Sequence, residues 1–140
     1  MLVYSHRPEV RESIIEAVGR RPAPDVGRVR WVEAAGIAEV LAACDAGEAD
    51  LLVLDEPTVG LDVPTRRAIV EHVHALVRDD GIAVLWATHL IDEISDDDDD
   101  VMILPEGRVL ADGSLADVLK KAKAEDIAGN CGALTVNGGR

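Results

Sequence analysis

Short apolar runs alternate with amphipathic helical patterns along most of the chain, and this alternation constrains the fold more than any other feature. Residues 50–55 (DLLVLD) and 82–88 (IAVLWAT) are continuous apolar runs of strand length. The segment between them carries apolar residues at helical spacing, namely Ile69, Val70, Val73, Leu76 and Val77. Strands that alternate with helices form parallel sheets with crossover helices, so the sequence predicts an α/β fold.

We predict a three-layer α/β sandwich whose five-stranded, mostly parallel sheet has the flavodoxin-like order 2-1-3-4-5, plus a C-terminal hairpin. The order follows from short connections and right-handed crossovers. The predicted strands are 1–5, 29–34, 50–55, 82–88 and 101–104, with 108–111 completing the hairpin. Residues 1–128 are expected to form a single domain, and the Gly and Asn content of residues 129–140 predicts a flexible tail.

The net charge of −13 argues against nucleic acid or an anionic membrane surface as a partner. No run reaches the roughly 20 apolar residues of a membrane span, and the N-terminus lacks the pattern of a signal peptide, so we expect a cytoplasmic location without membrane insertion. The run Asp96–Asp100 lacks the spacing of a calcium loop and is typical of a solvated loop. His72 and His74 are expected at the surface.

Ligands of such sheets bind beyond the carboxyl ends of the strands. The predicted ends carry a set of polar residues together with Leu104: Ser5, His6, Asp55, Glu56, Thr88 and His89. The segment 51–62 (LLVLDEPTVGLD) delivers two adjacent carboxylates, Asp55 and Glu56, which point apart on an extended chain. One acid can hold a hydrated Mg²⁺ while the other orients or deprotonates an attacking water. Asp62 is expected to cap the helix that follows.

Residues 50–119 closely resemble the Walker B motif, D-loop and H-loop region of ABC-transporter ATP-binding domains. The resemblance implies that Asp55 serves the magnesium ion, Glu56 is the catalytic base and His89 contacts the γ-phosphate of ATP. It implies that Asp62 acts across a dimer. The implied cofactors are Mg²⁺ and ATP, and the implied partners are a second nucleotide-binding subunit or a membrane permease.

The chain lacks the parts of that family that grip the nucleotide. No G-x-x-x-x-G-K-[ST] loop or Leu-Ser-Gly-Gly-Gln-like signature occurs, the sequence has no glutamine for a Q-loop, and its lysines are confined to residues 120–123. Such a loop normally cradles the β- and γ-phosphates. We therefore expect weak or absent ATP binding and no hydrolysis by this chain alone. In the family that this segment resembles, the strand before the phosphate loop lies between the two strands that correspond to the predicted fourth and fifth strands of this chain, residues 82–88 and 101–104.

Residues 1–55 resemble the opening βαβαβ of a response-regulator receiver domain. That resemblance implies that Asp55 is a phosphoacceptor and that Thr88 matches the hydroxyl after the fourth strand, although Ser5, His6 and Arg7 replace the acidic pair of receivers. Three hypotheses follow. The chain is a truncated or chimeric ABC-type ATPase domain, a pseudo-receiver interaction module centred on Asp55, or an engineered fold chimera without enzymatic function.

Overall fold

The structure is a computed structural model and describes residues 1–95, 97–124 and 133–137. Its helices are α1 (Pro8–Val18), α2 (Ile37–Asp45), α3 (Val63–Asp80) and α4 (Leu115–Ala124). Its strands are β1 (Leu2–Tyr4), β2 (Val32–Ala34), β3 (Leu51–Asp55), β4 (Ala83–Thr88), β5 (Asp100–Ile103), β6 (Ala111–Gly113) and β7 (Ala133–Asn137). Single 3-10 turns lie at Ile91–Glu93 and Pro105–Gly107.

The strands form one sheet in the order β2-β1-β3-β4-β7-β5-β6. The first four strands are parallel, and their order agrees with the 2-1-3-4 part of the prediction. The five-stranded order 2-1-3-4-5 is wrong at its last step, because β7 lies between β4 and β5 and runs antiparallel to both. The predicted hairpin is present as the antiparallel pair β5–β6, although its second strand begins at Ala111 rather than at residue 108.

β7 comes from the segment that the sequence assigns to a flexible tail. Residues 133–136 (ALTV) are a short run with β-forming side chains, but the glycines around it indicate a loop. Pairing with β4 on one side and β5 on the other outweighs that local signal. β7 thereby takes the position between β4 and β5 that the ABC resemblance assigns to the phosphate-loop strand. The other tail residues, 129–132 and 138–140, lie outside the described residues.

One face of the sheet carries the main core. Alternate residues of β1, β3 and β4 are buried there against α2 and α3: Leu2, Tyr4, Leu52, Leu54, Val84 and Trp86. A second cluster joins β5, β6 and α4 through Val101, Ile103, Ala111, Leu115 and Val118. On the other face of β3 and β4, Leu51, Val53 and Leu85 are only half-buried. The apolar run of β3 is therefore fully covered on one face and partly covered on the other.

The direction of the crossovers explains this one-sided core. The chain moves from β1 to β2 in one direction across the sheet and from β2 through β3 to β4 in the other. Right-handed crossovers then place α1 on the face opposite α2 and α3. α1 has no fully buried residue, so it covers its face incompletely. Among the described helices, none combines the length and the apolar character that a membrane crossing requires.

His74 of α3 contacts Asp99 of the acidic run, contrary to the expectation of a surface histidine. Asp97, Asp98 and Asp100 of that run are exposed, as expected for a solvated loop, whereas Asp99 is buried. Its Nε2 lies 3.0 Å from Asp99 Oδ1, and its Nδ1 lies 2.9 Å from the carbonyl oxygen of Val70. Asp99 is buried and also accepts a hydrogen bond from the backbone N–H of Ser95. Both partners of the imidazole are acceptors, so the geometry favours the doubly protonated ring. The hydrogen bond to Asp99 is the main cause that raises the pKa of His74.

The raised pKa of His74 makes its contribution to stability depend on pH. The contribution is fully present below the unfolded pKa, about 6.5, and is lost as pH rises through the higher folded pKa. We expect His74→Gln to destabilise the protein by about 1–2 kcal/mol at pH 6 and by less at pH 9. Urea unfolding of both proteins at the two pH values measures the difference. An equal cost at both pH values would contradict a charged His74–Asp99 pair.

Candidate functional site

The carboxyl ends of β1, β3 and β4 lie side by side, because these strands are parallel neighbours. β1 leads into Ser5, His6 and Arg7. β3 ends at Asp55 and is followed by Glu56, and β4 ends at Thr88 and is followed by His89. The structure thus brings the predicted residues Asp55, Glu56 and His89 to one edge of the sheet. It places Asp62 one turn further along the chain, at the start of α3.

Asp55 is held by the residues that follow β1. Its Oδ2 accepts a hydrogen bond from Ser5 Oγ at 2.8 Å and lies 3.4 Å from Nη2 of Arg7. Ser5 is itself buried, and its carbonyl oxygen accepts a hydrogen bond of 2.6 Å from the Arg11 guanidinium. The Arg7 side chain is 50% exposed whereas that of Asp55 is 17% exposed. The charge of Asp55 is therefore matched by a cation that remains accessible to water.

Glu56 turns away from Asp55 and faces His89. Its backbone has φ 44°, in the left-handed region that few non-glycine residues adopt. Its N–H still donates to the carbonyl oxygen of Ala87, at 2.8 Å, so the turn begins directly where the β3–β4 ladder ends. Glu56 Oε1 lies 3.0 Å from His89 Nδ1, and both side chains are more than one third exposed. The two adjacent acids thus have separate partners, as expected for acids that take different roles.

Asp62 caps α3 within its own chain. It accepts hydrogen bonds from the backbone N–H of Thr65 at 3.4 Å and from the Thr65 hydroxyl at 2.5 Å. The hydrogen bonds from Thr65 lower the pKa of this exposed carboxyl. The predicted helix cap is confirmed, whereas the action of Asp62 across a dimer stays a prediction.

Glu93 is a site residue that the sequence analysis does not identify. It lies in the 3-10 turn after β4, it is only 6% exposed, and it accepts hydrogen bonds from Thr58, Trp86 and Thr88. The sequence offers only a weak signal for a buried Glu93, because an acid four residues after His89, in a predicted turn, is normally exposed to solvent. Its partners are Thr58 in the turn after β3 and Trp86 and Thr88 of β4, and they become donors to one acid only in the folded chain.

A magnesium ion would have one protein carboxylate here, that of Asp55. Within the described part of the chain, no group of three or more His, Cys, Asp or Glu side chains is placed to hold a metal. Mg²⁺ commonly takes one or two carboxylates, with water and substrate phosphate oxygens as its other ligands. The donor set therefore fits a magnesium ion that arrives with a nucleotide. It does not fit a metal held by the protein alone.

Comparisons with known proteins match part of the chain. The molybdenum import ATP-binding protein ModC from Escherichia coli (strain K12), Salmonella typhimurium (strain LT2) and Shigella flexneri is 41% identical over 69 residues, which is 49% of this chain. This similarity supports ABC ATP-binding ancestry for about half of the chain. The chain spans only 20% of the length of these relatives. No family model and no solved structure matches, and the receiver-like interpretation of residues 1–55 gains no support.

Proposed function

We propose that this chain is part of an ABC-type ATP-binding domain, one that keeps the residues for attack on the terminal phosphate and needs another polypeptide segment to grip the nucleotide. The observation that carries the proposal is the Glu56–His89 contact of 3.0 Å beside Asp55, at the carboxyl edge of parallel strands. Its support is the partial similarity to ModC and the lack of a phosphate loop in the sequence.

Each residue has a distinct role in this proposal. Asp55 would hold a magnesium ion through its carboxylate, in exchange for the contacts of its Oδ2 with Ser5 and Arg7. A bound magnesium ion supplies charge neutralisation at the phosphates. Glu56 can accept a proton from the attacking water on the carboxylate oxygen that does not face His89. His89 Nδ1 lies against Glu56 Oε1, so Nε2 would be the atom that contacts a phosphate oxygen, and that contact requires a proton on Nε2.

The Arg7–Asp55 pair does not block this role. Half-exposed ion pairs contribute about 0–1 kcal/mol, because water competes for both charges. A magnesium ion that arrives with a nucleotide can therefore displace Arg7 at small cost. We propose that the complete assembly is an ATP-driven transporter, in which a second nucleotide-binding subunit and a membrane permease complete the site and select the substrate.

Titration of the purified chain with Mn²⁺, which substitutes for Mg²⁺ in electron paramagnetic resonance, tests the metal role of Asp55. We expect weak binding that Asp55→Asn removes and Arg7→Gln tightens by about fivefold, since a competing cation is lost. Arg28→Gln is the matched control, because it removes the same charge from an exposed loop before β2. With Mg-ATP we expect no turnover above background.

Two results would count against the proposal. Equal Mn²⁺ affinity in the parent chain and in Asp55→Asn would remove the metal role of Asp55. Rapid Mg-ATP turnover by the chain alone, lost in Glu56→Gln, would show that no further polypeptide is needed to hold the nucleotide.

A pseudo-receiver module is the second candidate, and the parallel order β2-β1-β3-β4 with Asp55 at the end of β3 favours it. Two observations weigh against the pseudo-receiver module. The Thr88 hydroxyl is engaged by Glu93 and by the N–H of Leu90, and no second acid stands beside Asp55 at the end of β1. Incubation with acetyl phosphate separates the candidates. A phosphoryl mass increase that disappears in Asp55→Asn would support the receiver.

A further inference from the structure

We infer that Glu93 is a positioning residue, which fixes Glu56 against His89 by joining the two turns that carry them. Its importance for ATP chemistry rests on the proposed function, whereas the geometric claim stands independently of that function. Glu93 acts through Thr58 and Thr88, whose hydroxyls it accepts hydrogen bonds from and which lie close to Glu56 and His89 in the sequence.

Glu93 is the common acceptor of three buried donors. Its Oε1 accepts from the hydroxyl of Thr58, and its Oε2 accepts from Trp86 Nε1 at 3.2 Å and from the hydroxyl of Thr88 at 2.5 Å. An ionised carboxylate accepts hydrogen bonds on both oxygens, so it can accept from all three donors. A glutamine of the same size has only one acceptor oxygen. The donors are buried, and water does not replace the acid at low cost.

The positions of these donors connect the acid to the site. Thr58 follows Glu56 by two residues, and Thr88 directly precedes His89. The Thr88 hydroxyl also accepts from the N–H of Leu90, so both neighbours of His89 are held. Glu93 therefore links the turn after β3 to the turn after β4, and it does so from a buried position beneath the partly exposed Glu56 and His89.

Backbone contacts hold Glu56 and His89 only near the ends of their strands. The last paired residues of β3 and β4 are Asp55 and Ala87, and one further backbone hydrogen bond, from the N–H of Glu56 to the carbonyl oxygen of Ala87, fixes the start of the turn after β3. These bonds do not fix the side chains of Glu56 and His89. The side chains of Glu56 and His89 are 36% and 55% exposed, and packing does not fix them. Their 3.0 Å contact depends on the relative position of the two turns, which the buried acid sets.

A nuclear magnetic resonance experiment on the full chain, labelled with ¹⁵N at histidine, tests this role. In the parent protein, Glu56→Gln should shift the Nδ1 resonance of His89, because its acceptor changes from a carboxylate to an amide. In a Glu93→Gln background, the same Glu56→Gln change should leave that resonance unmoved, since the amide cannot accept from all three donors. His74, bonded to Asp99, is an internal reference for the fold.

Asp99→Asn is the matched control, because it removes the charge of another buried carboxylate away from this edge. Since this change also removes the partner of His74, cooperative unfolding replaces the His74 resonance as the reference for the fold in this variant. The response of His89 to Glu56→Gln should persist in it. If Glu93→Gln also moves the His74 resonance and abolishes cooperative unfolding, Thr58→Val and Thr58→Ser take its place. The valine variant should remove the response of His89, and the serine variant, which keeps the hydroxyl, should restore it.

An undiminished response of His89 in Glu93→Gln with His74 unchanged, or in Thr58→Val, would overturn the inference. This outcome is separate from the failure of the proposed function. The resonance experiment needs neither Mn²⁺ nor ATP. It therefore tests whether the Glu56–His89 contact depends on Glu93 even if the chain does not bind Mn²⁺ through Asp55.

Discussion

A chain that ends at Ala124 is expected to lose its cooperative thermal unfolding transition, because β7 is removed from the middle of the sheet. β7 pairs with five residues of β4 and four residues of β5. A backbone hydrogen bond contributes about 1 kcal/mol net, so the loss is on the order of 5 kcal/mol or more. That is a large share of the roughly 5–15 kcal/mol by which domains are stable. The bared edges of β4 and β5 should also promote aggregation.

A chain that ends at Asn137 is the matched control for this truncation. It lacks residues 138–140 but keeps β7, and it should unfold at nearly the same temperature as the full chain. Circular dichroism melting curves at low protein concentration compare the three proteins. A cooperative transition for the Ala124 truncation, within a few degrees of the parent, would show that β4 and β5 do not depend on β7.

The parallel part of the sheet was predictable from the sequence, because its signals are local. β3 and β4 are apolar runs that end in polar residues, and their lengths and connections are enough to set the order 2-1-3-4. β7 was not predictable in this way. Five residues between glycines carry little local preference, and their position depends on pairing with strands about 30 and 50 residues earlier in the chain.

The candidate site also has a part that local sequence signals predict and a part that depends on contacts between distant segments. Asp55, Glu56 and His89 were identified because parallel strand ends meet at one edge, whatever their side chains contact. The partners Arg7, Glu93 and Thr58 were not assigned, because these contacts depend on how three turns fold back on one another. The positive φ of Glu56 has no sequence signal either, since glutamate rarely adopts it. His74 and Asp99 meet across 25 residues for the same reason.

Leu52→Ala is expected to destabilise the protein by about 3 kcal/mol or more, within the range for fully buried leucines. Leu52 is 0% exposed, in the cluster that joins β1, β3 and β4 to α2 and α3. Removing its side chain takes packed atoms out of the core and leaves a cavity that the surrounding strands cannot fill. Urea unfolding should show a lower midpoint with an unchanged slope.

Leu51→Ala makes this prediction specific to one face of the sheet. Leu51 precedes Leu52 on the same strand, undergoes the same chemical change and points to the opposite face, where it is only half-buried. Since less surface is returned to water there, the expected cost is about 1 kcal/mol. Equal costs for the two variants would mean that the face of Leu51 is as well covered in solution as that of Leu52. The one-sided core that follows from the crossovers of α1, α2 and α3 would then be wrong.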